Sequence, residues 1–331
     1  MKYIFIENPV AGNKAGHDTY NRVKKSLISN PDCEFYLTEH PGHATAVARD
    51  IARKYGTDAV IFACGGDGTL SEVATGARGF GSAIALLPMG RGNDFAKKIY
   101  GDMSLEEIAR GFGLCDGKPN VKLADIDCIE ANGVRCINVM SLGFDTTVLK
   151  LANKISETLP FFGGATYKLA LVASLFKGFG FKAKFEFEVL DEAEDITFTD
   201  DDLDFTLAAI CNGSFYGGGF CPARDSILDD GKLDVVIAKK LNLIQVAGMI
   251  GSYSKGTILE THPHLVSSKS VVGGKISSID GKPLSYNCDG NVFEAKTIDF
   301  KVIRNGFTLG YFENEALLKA INLNEQTKSR L

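Results

Sequence analysis

No stretch of this sequence is apolar for long enough to read as a membrane span, no two cysteines stand as C-x-x-C, and neither sign of charge dominates. The most apolar run, Leu159 to Phe181, is broken by Lys168, Lys177 and six further polar or glycine positions, unlike the run of about 20 apolar residues that crosses a bilayer. It reads as a buried helix followed by a strand, with a lipid-facing surface as the rival. With 36 Lys and Arg against 41 Asp and Glu, the chain lacks the positive field that nucleic-acid binders use, so DNA and RNA are not expected partners. Cys33, Cys64, Cys115, Cys128, Cys136, Cys211, Cys221 and Cys288 are scattered, most among apolar neighbours, as reduced thiols of a cytoplasmic protein would be. The first residues lack the long apolar core of a signal peptide, so secretion is not expected. There is no internal repeat and no HExxH among the five histidines, of which His43 alone is a candidate neighbour of a site.

What is present is a globular composition, 45% apolar and 23% charged, over 331 residues, more than one core usually serves. The first third alternates strand patterns (Tyr3 to Ile6, Glu34 to Leu37, Ala59 to Ala63, Ser82 to Leu87) with helical ones (Thr19 to Ile28, Ala44 to Tyr55, Leu70 to Ala77), which predicts a doubly wound parallel sheet. Beyond Val121 the candidates are closely spaced strands: Asp125 to Ile129, Cys136 to Met140, Phe181 to Leu190, Phe205 to Asn212, Lys232 to Ala238 and Thr297 to Arg304. Their β-branched and aromatic alternation predicts a β-sandwich-like second domain. The expected division is an α/β domain over residues 1–125, a mainly-β domain over 126–305 and a segment 306–331 returning to the first. The acidic stretch Asp191 to Asp204 reads as a solvated hairpin loop, and Glu313 to Leu323 as a short helix whose polar continuation frays.

The strands ending at Ile6, Ala63 and Leu87 each run into a glycine-bearing loop: Asn8-Pro9-Val10-Ala11-Gly12, Gly65-Gly66-Asp67-Gly68-Thr69 and Gly90-Arg91-Gly92-Asn93-Asp94. Ligands of open parallel sheets collect at those carboxyl ends. Glycines let main-chain N–H groups reach phosphate oxygens, and a helix starting near Thr69 adds a positive dipole end. No Gly-Lys-Ser/Thr follows, so this is not a Walker loop, and the spacing is not that of the dinucleotide fingerprint.

Together these loops resemble the diacylglycerol kinase catalytic-domain family, which includes bacterial lipid kinases and the sphingosine and ceramide kinases. The resemblance continues through Thr38-Glu39, Gly42-His43-Ala44-Thr45, Asp125, Asn138, Ser141-Leu142-Gly143-Phe144-Asp145, Asn212-Gly213, Gly217-Gly218-Gly219, Pro222-Ala223, Asp230-Gly231-Lys232-Leu233-Asp234 and Asp289-Gly290. It implies an ATP site made by Asn8 to Gly12, Thr38, Gly65, Gly66, Asp67, Gly68, Thr69, Leu70, Ser71 and Glu72, with Gly90, Arg91, Gly92 and Asn93 beside the phosphates. Asp67, Asp94 and Asp125 would organise Mg²⁺ and water around the transferred group, since charge spreads over the phosphoryl oxygens in the transition state. A structural Mg²⁺ is implied at Asp230, with the carbonyls of Ile227 and Lys232; read from the residues alone, this stretch is a hairpin turn. The implied partner is a lipid substrate met at a membrane surface by peripheral contact, helped by Arg22, Lys24 and Lys25 or Lys97 and Lys98, and a homodimer is admitted.

Two positions depart from the family. Arg91 stands where threonine is usual, and Asn291 replaces the glutamate that serves as general base in Asp-Gly-Glu. An amide cannot take a proton at neutral pH. In an extended segment Asp289 would share a face with Asn291, making it the nearest substitute. The expectation is therefore an ATP-dependent lipid kinase, most simply of diacylglycerol. Its rivals are a nucleotide- or lipid-binding regulator and an NAD kinase or phosphofructokinase-like enzyme.

Overall fold

The first four strands, β1 (Lys2–Glu7), β2 (Cys33–Leu37), β3 (Ala59–Gly65) and β4 (Ala83–Pro88), lie parallel in the order β2-β1-β3-β4. The structure is a computed structural model that describes residues 1–158, 180–190 and 196–322. Every residue of β3 is buried, as in a strand covered on both faces. Helix α1 (Lys14–Leu27) begins earlier than its apolar period predicts because the Asn13 side chain caps it, accepting from Gly16 N. Helices α2 (His43–Tyr55) and α3 (Asp67–Ala77) pack backbone to backbone: a Cβ at Gly76 would lie 2.3 Å from the Thr45 carbonyl oxygen. Two short helices that the sequence reading passed over follow, α4 (Asp94–Tyr100) and α5 (Leu105–Gly111); Ser104 and Glu107 form a capping box on the second.

The two halves are joined by strands rather than by a linker. β5 (Lys122–Ala131) places Ala124 and Ile126 in the first core and Ile129 and Ala131 in the second. After β6 (Val134–Cys136) and β7 (Val139–Gly143), helix α6 (Phe144–Thr158), β8 (Phe181–Leu190), β9 (Ile196–Cys211), β10 (Leu233–Lys239), helices α7 (Leu243–Lys255) and α8 (Ile258–Thr261), and β11 (Val266–Val271) build the second half. β12 (Gly273–Ser278), the hairpin β13 (Leu284–Cys288) and β14 (Asn291–Ala295), and β15 (Thr297–Tyr311) complete it. β15 runs antiparallel to β5 with a register break between Ile303 and Phe307 and ends beside β4, so Ile298 and Phe300 serve one core and Leu309 and Tyr311 the other. The expected cuts at 125/126 and 305/306 thus fall inside β5 and β15. Helix α9 (Glu315–Ala320) returns Leu317 and Ala320 to the first core.

Two local expectations are corrected. Asp191 to Asp204 is not a hairpin loop from end to end: from Ile196 it is strand, paired with β8 so that Lys182 and Lys184 stand opposite Asp204 and Asp202. Opposite charges across a ladder make an acidic strand tolerable. The single strand expected over Cys136 to Met140 is interrupted, because Ile137 and Asn138 donate their N–H groups to a carboxylate, Asp289, instead of to a ladder. The segment Leu159 to Phe181 lies outside the described residues up to 179, as does the tail beyond Asn322. No described helix is long and apolar enough to cross a membrane. All eight cysteines are unpaired and six are buried.

Candidate functional site

The three loops converge at the carboxyl ends of β1, β3 and β4. Asn8 Nδ2 donates to Thr69 Oγ1 at 3.2 Å, joining the first loop to the second, and Met89 N and Gly90 N donate to the Gly65 carbonyl, joining the second to the third. Two glycines are required by this closeness: a Cβ on Gly12 would sit 1.6 Å from the Met89 carbonyl oxygen, and one on Gly90 would sit 2.4 Å from Gly66 Cα. The result is a cleft of about 630 Å³ between the Asn8 to Gly12 loop, Thr38 and the start of α3, with Arg91 at its rim. No side chain caps α3, whose start, through Gly66, Gly68 and Thr69, lines the cleft. Glu72 lines the cleft but spends its carboxylate on the start of α2, accepting from Gly42 N at 2.9 Å and Ala44 N at 3.2 Å. His40 lines the cleft, whereas the His43 ring turns back to accept from Glu39 N.

Beyond α3 the cleft continues into a second cavity of about 340 Å³ walled by Asp67, Leu70, Ser71 and Asp94. Asp67 Oδ1 accepts from Phe95 N, and Asp94 accepts from Gly218 N at 2.7 Å and from Lys97 Nζ at 3.1 Å. The carboxylates converge on Gly92, whose added Cβ would meet Asp67 Oδ2 at 3.1 Å and Asp94 Oδ2 at 3.5 Å. Burial raises the Asp67 carboxyl above its usual range, and the Asp94 charge adds to the rise. Asn93, with φ of +51°, holds the loop by donating from Nδ2 to the Gly90 carbonyl. Of the two lysines expected to help a membrane contact, Lys97 pairs with Asp94, and Lys98 is buried and donates to the Arg224 carbonyl. Arg22 likewise pairs with Glu106, and Lys24 lies beside Glu7 and Phe35.

The opposite wall holds a residue for which the motif reading named no role. Asp145 stands in the first turn of α6, its Oδ1 accepts from Thr146 N at 2.7 Å, and its buried Oδ2 meets no donor in good hydrogen-bond geometry, with the Ser141 and Tyr216 hydroxyls as its nearby polar neighbours. Burial pushes this carboxyl up, while Ser141, Thr146 and Tyr216 favour its charge. Asp145 lines the polar cavity and also a separate apolar slot of about 190 Å³, walled by Val148, Leu207, Val236, Met249 and Tyr253 among others. A carboxylate oxygen left unpaired at the junction of a polar and an apolar cavity is costly unless a ligand meets it. The signal was present in the sequence as Ser141 to Asp145, but only the fold shows which way it faces.

Comparison with known proteins matches residues 2–118 to the diacylglycerol kinase catalytic domain and residues 138–306, more than half of the chain, to the YegS C-terminal NAD kinase beta sandwich-like domain. The chain belongs to the diacylglycerol kinase catalytic-domain family. A Pseudomonas aeruginosa protein named "Probable lipid kinase YegS-like" is 30% identical over 296 residues, 88% of this chain and 89% of its own. A diacylglycerol kinase of Mycobacterium tuberculosis is 28% identical over 304 residues, 88% of this chain and 87% of that one. A crystal structure of a diacylglycerol kinase from Bacillus anthracis shares the fold, with a TM-score of 0.66 and 17% identity over 96% of this chain and 98% of that one. The two-domain expectation, an α/β half followed by a β-sandwich-like half, is the architecture of this family of lipid kinases.

Where the diacylglycerol kinase family carries its glutamate, the geometry corrects one expectation. Asp289 and Asn291 do not alternate along a strand: Asp289 (φ +45°) and Gly290 (φ +90°) form the turn of a hairpin in which Cys288 pairs with Asn291. The Asp289 carboxylate is wholly taken up, accepting from the N–H groups of Ile137 at 2.6 Å, Asn138 at 3.1 Å and Val139 at 3.3 Å and from the Cys136 thiol. Asn291 is exposed at the edge of the second cavity. Asp125 does not line this cavity; Thr308 Oγ1 donates to it at 2.8 Å across β5 and β15.

Asp230 accepts from Lys232 N at 2.9 Å, an Asx turn within the hairpin alternative. Two further carboxylates stand near it, Asp229 of the same expected turn and Asp127, for which the sequence reading named no role. Asp127 accepts from Gly231 N and Asn305 N, and Asp229, pushed up to about 6 chiefly by burial, accepts from Asn322 N. Among the described residues no group of three or more His, Cys, Asp or Glu is arranged to hold a metal ion.

Proposed function

We propose that this protein is an ATP-dependent lipid kinase that transfers the γ-phosphate to a lipid hydroxyl, most simply of diacylglycerol, giving phosphatidic acid. The observation that carries the reading is the unpaired Asp145 oxygen, set between the cavity walled by Asp67 and Asp94 and an apolar slot. A substrate meeting both walls has an apolar chain and a polar, reacting end.

Asn8 to Gly12, Thr38 and the first turn of α3 would hold ATP, with the phosphates over the α3 N–H groups and Arg91 at the rim. The pair Asp67 and Asp94 fits Mg²⁺, which takes one or two carboxylates plus phosphate oxygens, and a cation between them would relieve the repulsion that helps raise Asp67. Bound there, Mg²⁺ would neutralise charge on the phosphoryl oxygens. Lys97 stands beside Asp94 to add a second positive charge. The lipid oxygen attacks the γ-phosphorus as the bond to the ADP oxygen breaks, and the hydroxyl proton passes to Asp145 Oδ2. This gives Asp145 the task that Asn291 cannot perform and Asp289, with its lone pairs committed, is poorly placed to perform. The structural Mg²⁺ that the resemblance implies is assigned to Asp230 with the carbonyls of Ile227 and Lys232, since Asp127 and Asp229 are already committed to the main-chain N–H groups of Gly231, Asn305 and Asn322.

The test is transfer of radiolabel from γ-labelled ATP into a mixed lipid extract, with NAD as a parallel acceptor. Label in a lipid supports the reading, label in NAD favours the NAD-kinase rival, and ATP binding without transfer favours a regulator.

A further inference from the structure

Helix α7 is built unlike the other long helices among the described residues. Its sequence, Leu-Ile-Gln-Val-Ala-Gly-Met-Ile-Gly-Ser-Tyr-Ser-Lys, carries one charged residue, Lys255. A helix so poor in charge is ordinarily covered on all sides, yet in α7 only Met249 is buried. Ile244 is 83% exposed, Leu243 49% and Ile250 44%, and Ala247, Gly248 and Gly251 are exposed with them. The outer face of α1, by contrast, presents Lys14, Asp18, Arg22 and Lys25. The N-terminus of α7 is complete, since Asn242 and Gln245 form a capping box.

We infer that α7 is the surface by which the protein docks on a lipid bilayer, lying flat with Leu243, Ile244 and Ile250 in the headgroup and acyl boundary. Two observations select a bilayer as the occupant. The first is charge: Lys239 and Lys240 precede the helix and Lys255 ends it, all three exposed, which is the placement that meets anionic headgroups around an inserted apolar face. The second is continuity. The inner side of the same helix, through Val246, Met249 and Tyr253, walls the apolar slot that ends at Asp145, and Ile250 belongs both to the slot and to the exposed face. A lipid leaving the bilayer at α7 reaches the reacting cavity without its chain crossing water. This deepens the proposed function and rests on it for the fate of the lipid; the docking itself is measured without ATP or turnover.

The experiment compares the parent with Leu243→Ser/Ile244→Asp and Lys239→Glu/Lys240→Glu in sedimentation with vesicles of phosphatidylcholine, with and without phosphatidylglycerol. Leu243 and Ile244 do not line the slot, so melting temperature and transfer to detergent-dispersed lipid should match the parent. The first variant should bind both vesicle types at least about tenfold more weakly, as expected for losing two apolar side chains from an interface. The second should lose the preference for phosphatidylglycerol and its salt dependence. Parent-like vesicle binding by Leu243→Ser/Ile244→Asp overturns the inference. So does a parent dimer in sedimentation velocity that becomes monomeric in that variant, because the face then covers a second copy. Weakened vesicle binding in a protein that phosphorylates no lipid would leave the docking intact and remove the kinase reading instead.

Discussion

Asp145 and Asp289 are both half-buried residues whose carboxyls are raised by burial, and both line the same cavity, yet they are held in opposite ways. Asp289 sits in a turn and is surrounded by three N–H groups and a thiol. Asp145 stands in the first turn of a helix, binds its neighbour's N–H through one oxygen and leaves the other without a well-aligned donor, the Ser141 and Tyr216 hydroxyls lying near it. Burial and a perturbed pKa are thus shared by a carboxylate that pins β6, β7 and the hairpin together and one that can act on a ligand. What separates them is whether the lone pairs are already spoken for.

That contrast can be broken by mutation. The largest effect is expected from Asp67→Ala, which removes half of the facing carboxylate pair: transfer should fall by at least about 10³-fold while the melting curve stays close to the parent's. Asp145→Asn should fold and bind ATP but lose about 10²- to 10⁴-fold in transfer rate at saturating ATP, the usual contribution of a general base. Asp289→Asn should behave in the converse manner. An amide turned toward main-chain donors leaves groups unsatisfied, so stability should drop by about 1–3 kcal/mol in urea unfolding, with turnover of the folded fraction nearly unchanged. Asp230→Ala should abolish any rise in melting temperature that Mg²⁺ gives the parent; an equal rise in both proteins would remove that site. The smallest effect is expected at Asn291→Glu, a change in rate of less than about threefold, under about 1 kcal/mol of barrier, because Asp145 already occupies the role. A large gain there would return the role to the hairpin.

The sequence was most readable where contacts are local. β1, β3 and β4, the loops after them and the helices α2 and α3 follow from period and glycine placement within short windows, and the family motifs lie on those loops. The second half was less readable because its order is set by partners far away in the chain. The acidic strand over Asp200 to Asp204 reads as loop until Lys182 and Lys184 are seen opposite it. The break at Ile137 and Asn138 cannot be placed without knowing that Asp289 returns to them. Asp145 shows the same limit at the site: its motif was visible, whereas its unpaired oxygen depends on how β7 and α6 meet the apolar slot. Lys97 and Lys98 formed a basic pair on paper, whereas in the short helix α4 Lys97 pairs with Asp94 and Lys98 is buried.

The central claim is that Asp145, rather than the residues of the hairpin turn, takes the proton from a lipid hydroxyl. The direct measurement is the single-turnover rate of γ-phosphate transfer to the lipid that the parent labels, for the parent, Asp145→Asn and Asp289→Asn, with ATP saturating and the folded fraction of each protein determined in the same samples. The account predicts a transfer rate about 10²- to 10⁴-fold lower for Asp145→Asn and, per folded molecule, a rate near the parent's for Asp289→Asn. A parent-like rate in Asp145→Asn, or a comparable loss in folded Asp289→Asn, would contradict it.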